Sequence, residues 1–138
     1  PEFVKWKVDQ NFKKINKWPL GAGGINMHFA YWPPQLNLKV LPPHIKQKIK
    51  DKYENEFYPW IDENWHRFTG VAETGIDKAT FDQNPYGIKR YQGIINFMNS
   101  EDWSQRLPEM KEWINVINQQ RNWGNKFPEV FPILAEIL

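Results

Sequence analysis

The sequence contains no cysteine, and this absence narrows the chemistry open to the chain. Without thiols it has no disulfides, no thiolate nucleophile and no cysteine ligands for zinc or an iron–sulfur cluster. Apolar runs are short of the roughly 20 residues that cross a bilayer, and no signal peptide is visible. The net charge is only +2, whereas a nucleic-acid-binding protein usually carries a concentrated basic footprint. We therefore expect a cytoplasmic protein with no membrane partner and no nucleic-acid partner.

Aromatic residues are abundant instead. The 138 residues include 8 Trp and 9 Phe, and hydrophobic residues make up 41% of the chain. Aromatic rings bury large areas, so this composition predicts one folded domain and not a disordered tail. The chain begins with Pro1 and not Met. We expect either that a longer protein continues upstream or that expression or trimming set this end, and both alternatives stay open.

Two helices are predicted in the first half of the chain from apolar residues that recur every three or four positions. The first covers residues 2–18 and ends at Pro19. The second starts at Pro42 and Pro43 and is kinked or broken at Pro59, after which a further piece covers residues 60–68. The apolar positions are Val4, Val8, Phe12 and Ile15 in the first helix, and Ile45, Ile49, Tyr53 and Phe57 in the second.

Between these helices, large apolar residues at every second position predict a strand over residues 25–31, which Pro33 and Pro34 end. A second extended segment over residues 36–40 is suggested by the same alternation. Residues 21–24 are three glycines and an alanine. Because they precede a strand and open no helix, they predict a turn and not a phosphate-binding loop.

The second half of the chain predicts two more helices. Residues 69–85 are predicted as a loop, because their apolar residues show no period. One helix follows and ends at Asn99, and Pro108 occupies the first turn of the next. Their apolar positions are Ile88, Tyr91, Ile95 and Met98, and then Leu107, Met110, Ile114 and Ile117. The predicted fold class is mainly α with one or two short strands.

Asp62 and His66 are the nearest approach to a catalytic pair. Four residues apart on a helix, they would share a face and could orient each other for proton transfer or supply two metal ligands. A surface hydrogen bond or ion pair is the ordinary alternative. His28 lies in the predicted strand, where it would face solvent or a cavity. No metal motif and no catalytic residue can be named from spacing.

Lysines and tryptophans are the remaining candidates for binding. Four alternating lysines on the second helix, with Lys39 nearby, predict a solvated face because alternation spreads them around the helix. The tryptophans could stack on sugars or bases, although most are expected in the core. The lysines are Lys46, Lys48, Lys50 and Lys52, and the tryptophans are Trp32, Trp60, Trp65, Trp103, Trp113 and Trp123.

Two stretches together resemble a known family. The first is residues 31–52, where a strand is followed by Pro34, Leu36, Leu38, Leu41-Pro42 and a lysine-rich helix. The second is Ile94-Ile95-Asn96-Phe97-Met98, then Asp102, Ser104, Leu107-Pro108, Arg121, Phe127, Glu129, Phe131-Pro132 and Leu134. This order is similar to the C-terminal part of phage-like and marine bacterial radical SAM proteins with a reduced, twitch-type extension. Ile133 stands where that family tends to have Glu.

The resemblance implies a parent enzyme with a 4Fe-4S cluster, held by an upstream CxxxCxxC motif, that cleaves S-adenosylmethionine. This chain would bind neither group and would carry no catalytic residue. It would supply the C-terminal strand and helical cap of a partial βα barrel, with the upstream barrel portion of its own protein as its partner. Because active sites lie at the carboxyl ends of barrel strands, Tyr31 and Trp32 would line the substrate site, with His28 facing inward.

The same resemblance divides the chain into three parts. Residues 1–58 would hold the last barrel helix, the strand and the following helix, residues 59–87 a loop-rich connection, and residues 88–138 the C-terminal helical tail. The alternative is a free-standing helical module that uses exposed Trp and Lys to bind a polymer or a protein partner. The substrate is not indicated by the sequence.

Overall fold

The computed structural model describes residues 1–14, 30–68, 75–83, 88–120, 128–129 and 131–137, with the backbone alone for residues 10–14. These residues form seven α-helices joined in places by short 3₁₀ turns. They are α1 (Glu2–Lys14), α2 (Pro43–Lys52), α3 (Tyr58–Asn64), α4 (Lys78–Gln83), α5 (Ile88–Asn99), α6 (Leu107–Gln120) and α7 (Pro132–Ala135). The described part of the chain contains no strand, so the prediction of a mainly α protein is confirmed.

The prediction of a second extended segment over residues 36–40 is wrong. Two consecutive 3₁₀ turns, Pro34–Leu36 and Leu38–Val40, occupy it. The N–H groups of Asn37 and Val40 each bond to a carbonyl three residues earlier, at 3.1 and 3.0 Å. Proline supplies a φ that suits such turns, and local bonds need no partner strand. The predicted strand over residues 25–31 lies outside the described residues, apart from Ala30 and Tyr31, which have no regular structure.

A π-helical segment joins α2 to α3. The helix that starts at Pro43 continues through Tyr53–Phe57 in the wider π geometry, and Pro59 then occupies the first turn of α3. Pro59 was expected to kink or break the helix. The structure instead shows a wider π-helical turn before Pro59, after which the helix continues. A proline removes one backbone donor, and a single wide turn accommodates the missing hydrogen bond.

Helix α4 lies inside the stretch that was predicted to be a loop, so that prediction is wrong for residues 78–83. Asp77 starts the helix, because its Oδ1 accepts a hydrogen bond from the N–H of Thr80 at 2.8 Å. The only large apolar side chain of α4 is Phe81, which is fully buried. One large apolar residue produces no periodicity, so the signals in the sequence were the capping aspartate and the i,i+4 pair of Lys78 and Asp82.

The chain forms two compact units, and the first comprises Pro1–His28 and Asp51–Ile94. Its core is built mainly from aromatic rings. Phe57 packs edge-on against Tyr91 at 4.8 Å between ring centroids, and Phe68 packs against Phe81 at 5.3 Å. The buried members of this core are Val4, Val8, Phe57, Ile61, Phe68, Phe81 and Tyr91.

The second unit comprises Phe29–Lys50 and Ile95–Leu138. Its buried side chains come from the 3₁₀ turns, α2, α5, α6 and the residues after α7. The apolar ones are Val40, Leu41, Ile45, Ile95, Met98, Met110 and Ile137. Asn37 and Lys46 are also buried, at 2% and 5% exposure. Within the described ranges of both units, no helix is long and apolar enough to cross a membrane.

Candidate functional site

Tyr31 and Trp32, the two residues predicted to line a substrate site, lie on the surface of the second unit. The exposed fractions of these residues are 64% for Tyr31 and 83% for Trp32. They lie just before the first 3₁₀ turn, which begins at Pro34. The peptide bond between Trp32 and Pro33 is cis. Contiguous exposed apolar side chains are a common mark of a surface that binds a ligand or partner. Tyr31 and Trp32 are therefore the candidate binding surface.

The side chain of Phe97 supports Tyr31 from α5. The two rings meet edge to face, with centroids 5.5 Å apart and planes at 80°, which is a favourable geometry for aromatic pairs. The same Phe97 ring is contacted by the Nζ of Lys39, which lies 4.9 Å from the ring centroid. Lys39 also lies 5.1 Å from the ring centroid of Trp103. The ammonium group of Lys39 thus forms cation–π contacts with two aromatic rings.

Glu101 neutralises this ammonium group. The Nζ of Lys39 donates to Oε1 of Glu101, and the indole Nε1 of Trp103 donates to Oε2 at 3.0 Å. These two hydrogen bonds, that from Lys39 first, lower the pKa of Glu101 below its usual value of 4.5. Glu101 is therefore an ionised acceptor at neutral pH and is poorly suited to act as a general acid. We call Lys39, Phe97, Glu101 and Trp103 the Lys39 cluster.

The backbone of Lys39 is fixed as firmly as its side chain. Its N–H donates to Oδ1 of the buried Asn37 at 3.0 Å. Its carbonyl oxygen accepts from the N–H of Trp103, also at 3.0 Å. The two turns, with Asn37 between them and Lys39 in the second, begin at Pro34, two residues after Trp32. The candidate surface therefore lies next to a short segment in which several backbone N–H groups are hydrogen-bonded locally, among them those of Asn37, Lys39 and Val40.

Lys46 corrects the prediction of a wholly solvated lysine face. It is buried, and its Nζ donates to the carbonyl oxygen of Glu101 at 2.9 Å. Burial lowers the pKa of Lys46, while the negative charge of Asp102 opposes that change. Lys48 behaves as expected, because it is exposed and forms an ion pair with Glu136. Helical position alone did not reveal Lys46, since the loop that covers it lies 55 residues away.

Asp62 and His66 share no hydrogen bond in the structure. Oδ1 of Asp62 pairs instead with Nζ of Lys78 at 2.9 Å, and Lys78 also contacts Asp82 at 2.7 Å. His66 is exposed on the 3₁₀ turn Trp65–Arg67, beyond the end of α3. The structure thus pairs Asp62 with a surface lysine. The residues it describes include no cluster of three or more His, Asp or Glu side chains that could hold a metal ion.

The other predicted candidates divide between core, surface and undescribed residues. His28 and Trp123 lie outside the described residues. Trp60 and Trp65 pack against the core of the first unit, as expected for structural tryptophans. Trp113 on α6 is 41% exposed. Sequence reasoning missed Phe97 and Glu101, because each is ordinary in its own segment and becomes distinctive only beside Lys39.

Comparison of the chain with protein-family models, with curated proteins and with solved structures finds no match in any of the three.

Proposed function

We propose that this chain is the C-terminal part of a radical SAM enzyme and that Tyr31 and Trp32 line its substrate site. The observation that carries the proposal is the exposure of both rings at the carboxyl end of the segment predicted as the last barrel strand. In a βα barrel the carboxyl ends of the strands face the active site. The order of motifs in residues 31–52 and 94–134 supports the same assignment.

In this proposal the described residues shape the substrate site and generate no radical. The chain has no cysteine, and the part of it described here has no His, Asp and Glu cluster for a metal. The 4Fe-4S cluster and S-adenosylmethionine would be held by the upstream barrel portion. Bound there, they would supply the radical chemistry of the enzyme. Tyr31 and Trp32 would contact the substrate and exclude water from it.

The first test is the coding sequence upstream of Pro1. An in-frame CxxxCxxC motif followed by alternating strand and helix patterns supports the proposal. A start codon at or just before Pro1 removes it. If the motif is present, the full-length protein prepared without oxygen is expected to cleave S-adenosylmethionine to 5′-deoxyadenosine on reduction, and absence of that product from cluster-loaded protein counts against the proposal.

A matched pair of variants tests the role of the surface. Trp32→Ala in the full-length protein is expected to preserve cluster content and to reduce substrate-dependent turnover, because stacking on an aromatic ring contributes about 1–3 kcal/mol. Trp113→Ala is the control, since Trp113 is also exposed but lies on α6. Equal turnover in the two variants would show that Trp32 has no role in the substrate site.

A free-standing binding module is the second candidate function. Exposed aromatic residues favour it: besides Trp32, Phe3 and Trp6 on α1 are 65% and 57% exposed, with centroids 5.9 Å apart. Such rings, with lysines nearby, would hold a polymer or a protein partner. This function predicts that the purified 138-residue chain unfolds cooperatively and binds its partner in a salt-sensitive manner. Aggregation of the isolated chain would favour the enzyme instead.

A further inference from the structure

We infer that Lys39 is a positioning residue for the proposed substrate surface: it holds the ring of Phe97 in the place where that ring supports Tyr31. The inference rests on the proposed function for its connection with substrate. The positioning itself rests on contacts within the second unit alone. Every residue that it uses lies in one of the two segments of that unit.

Lys39 is well suited to hold another side chain because it is fixed at three points. Its N–H is bound by Asn37, its carbonyl oxygen by Trp103 and its ammonium group by Glu101. The exposed fraction of its side chain is 12%, against 54% for that of Glu101. A long flexible side chain normally loses rotamer freedom when it is ordered. Here the contacts with Asn37, Trp103 and Glu101 together offset the lost entropy and hold the ammonium group in place.

The fixed ammonium group then restrains Phe97. A cation on the face of an aromatic ring is attracted by the ring quadrupole, and Nζ of Lys39 lies 4.9 Å from the Phe97 centroid. The same ring receives Tyr31 edge to face at 5.5 Å. Contacts therefore run from Glu101 through Lys39 and Phe97 to Tyr31, and connect an ordered ion pair with a ring that is largely exposed.

Restraint of Tyr31 has a consequence for recognition. An exposed ring is free to change rotamer, and a ligand that stacks on it must then stop that motion. Preorganisation by Phe97 reduces this cost before the ligand arrives. The charges of Lys39 and Glu101 compensate each other, so the cluster offers no net charge to a ligand. The surface that it positions is therefore suited to a substrate that presents an apolar or ring face.

Fluorine NMR on the full-length protein tests the positioning directly. The protein is labelled with 3-fluorotyrosine, and the signal of Tyr31 is assigned by its loss in Tyr31→Phe. Lys39→Met removes the charge and keeps the length of the side chain. We expect the Tyr31 signal to move towards the position of free fluorotyrosine and the population of the packed rotamer to fall about two- to fivefold. Lys39→Arg, which keeps the charge, is expected to restore most of the original signal.

Two controls separate positioning from folding and from the proposed function. Lys48→Met removes another ion-paired lysine of the same unit and should leave the Tyr31 signal unchanged. An unchanged Tyr31 signal in folded Lys39→Met overturns the inference, as does an identical change in Lys48→Met. Because this readout needs no turnover, a moved signal in a protein that fails to cleave S-adenosylmethionine supports the positioning role while rejecting the enzyme.

Discussion

Exposure separates the aromatic residues of this chain into two kinds. Phe57 and Phe81 are completely buried, whereas Trp32 and Tyr31 are mostly exposed. Residue type does not distinguish the two kinds, since each ring would gain from burial. The exposed rings bury little area in this chain, so they contribute little to its stability. The two kinds of ring therefore lead to different expectations for mutation.

Trp32→Ala is expected to change the free energy of unfolding by less than about 0.5 kcal/mol, because an 83% exposed ring leaves no cavity. Phe81→Ala is the matched comparison. It should cost about 3–5 kcal/mol, since Phe81 is fully buried among Trp65 and Phe68. Urea unfolding followed by circular dichroism measures both. A large loss of stability in Trp32→Ala would show that Trp32 is a structural residue.

Glu101 predicts a dependence of stability on acid pH. Lys39 and Trp103 lower the pKa of Glu101 below 4.5 in the folded protein. Its contribution to stability is therefore fully present above pH 4.5 and is lost as the pH falls through the lowered pKa. We expect Glu101→Gln to be less stable than the wild type near neutral pH. The difference should narrow below pH 4.5. A difference that stays constant from pH 3 to pH 7 would contradict the ion pair.

At the level of elements, start signals mattered as much as apolar periodicity. Helix α5 ends at Asn99, as the sequence predicts, because apolar residues recur along one face and then stop. Helix α4 was missed because it buries one large apolar side chain and depends on Asp77 to begin. The π segment before Pro59 follows from the chemistry of proline. Its form was not foreseen, since several local adjustments accommodate a missing donor.

Substitution of two glycines by alanine tests how the local backbone conformation determines the effect of an added Cβ on stability. Gly75 has φ of +66°, and Gly93 lies in α5; an added Cβ has open space at both positions. Gly75→Ala is expected to destabilise the protein by about 1 kcal/mol, because L-residues disfavour that conformation. Gly93→Ala should stabilise it by about 0.5–1 kcal/mol through helix propensity. Thermal unfolding checks both, and equal effects would contradict the difference in φ.

The cap of α4 can be tested independently of packing. Asp77→Ala removes the acceptor for the N–H of Thr80 and is expected to lower the midpoint of thermal unfolding. Asp77→Asn should keep most of the stability, because asparagine is an equally good N-cap. If the two variants were equally stable, the side chain of Asp77 would have no capping role.

At the scale of the whole molecule, tyrosine ionisation reports on the core of the first unit. Burial raises the pKa of Tyr91 to about 12, with Arg90 opposing and Tyr53 adding to this change. Burial and the nearby charge of Glu54 raise the pKa of Tyr58 to about 12 as well. Both groups contribute stability that is fully present below pH 10, and this stability is lost as the pH rises from 10 to 12.

We therefore expect the protein to unfold in alkali between about pH 10 and 12, with absorbance at 295 nm rising together with the loss of helical signal. Tyr91→Phe removes one of these groups and should move the alkaline transition upward. In denaturant, Tyr58 and Tyr91 should titrate near 10. Gradual ionisation of Tyr58 and Tyr91 near pH 10 in the folded protein would show that their hydroxyl groups are accessible to water.

The sequence by itself determined that the described chain is mainly helical, and it located the longer helices. The periodicity of Ile88, Tyr91 and Met98 is a local property, and hydrogen bonds within a helix join residues four apart. The resemblance predicts that Tyr31 and Trp32 line a substrate site, and that stays a prediction. The fold class therefore followed from patterns that extend over about 10–15 residues.

Only the tertiary structure decided which side chains meet. Lys39 and Glu101 are 62 residues apart in the chain, and Lys46 and Glu101 are 55 apart. Asp62 has a helical neighbour in His66 but pairs with Lys78 across 16 residues. Such contacts arise from the packing of apolar faces, which brings distant segments together regardless of their spacing in sequence. For this reason the longer helices, which show apolar periodicity, were predictable from the sequence and the Lys39 cluster was not.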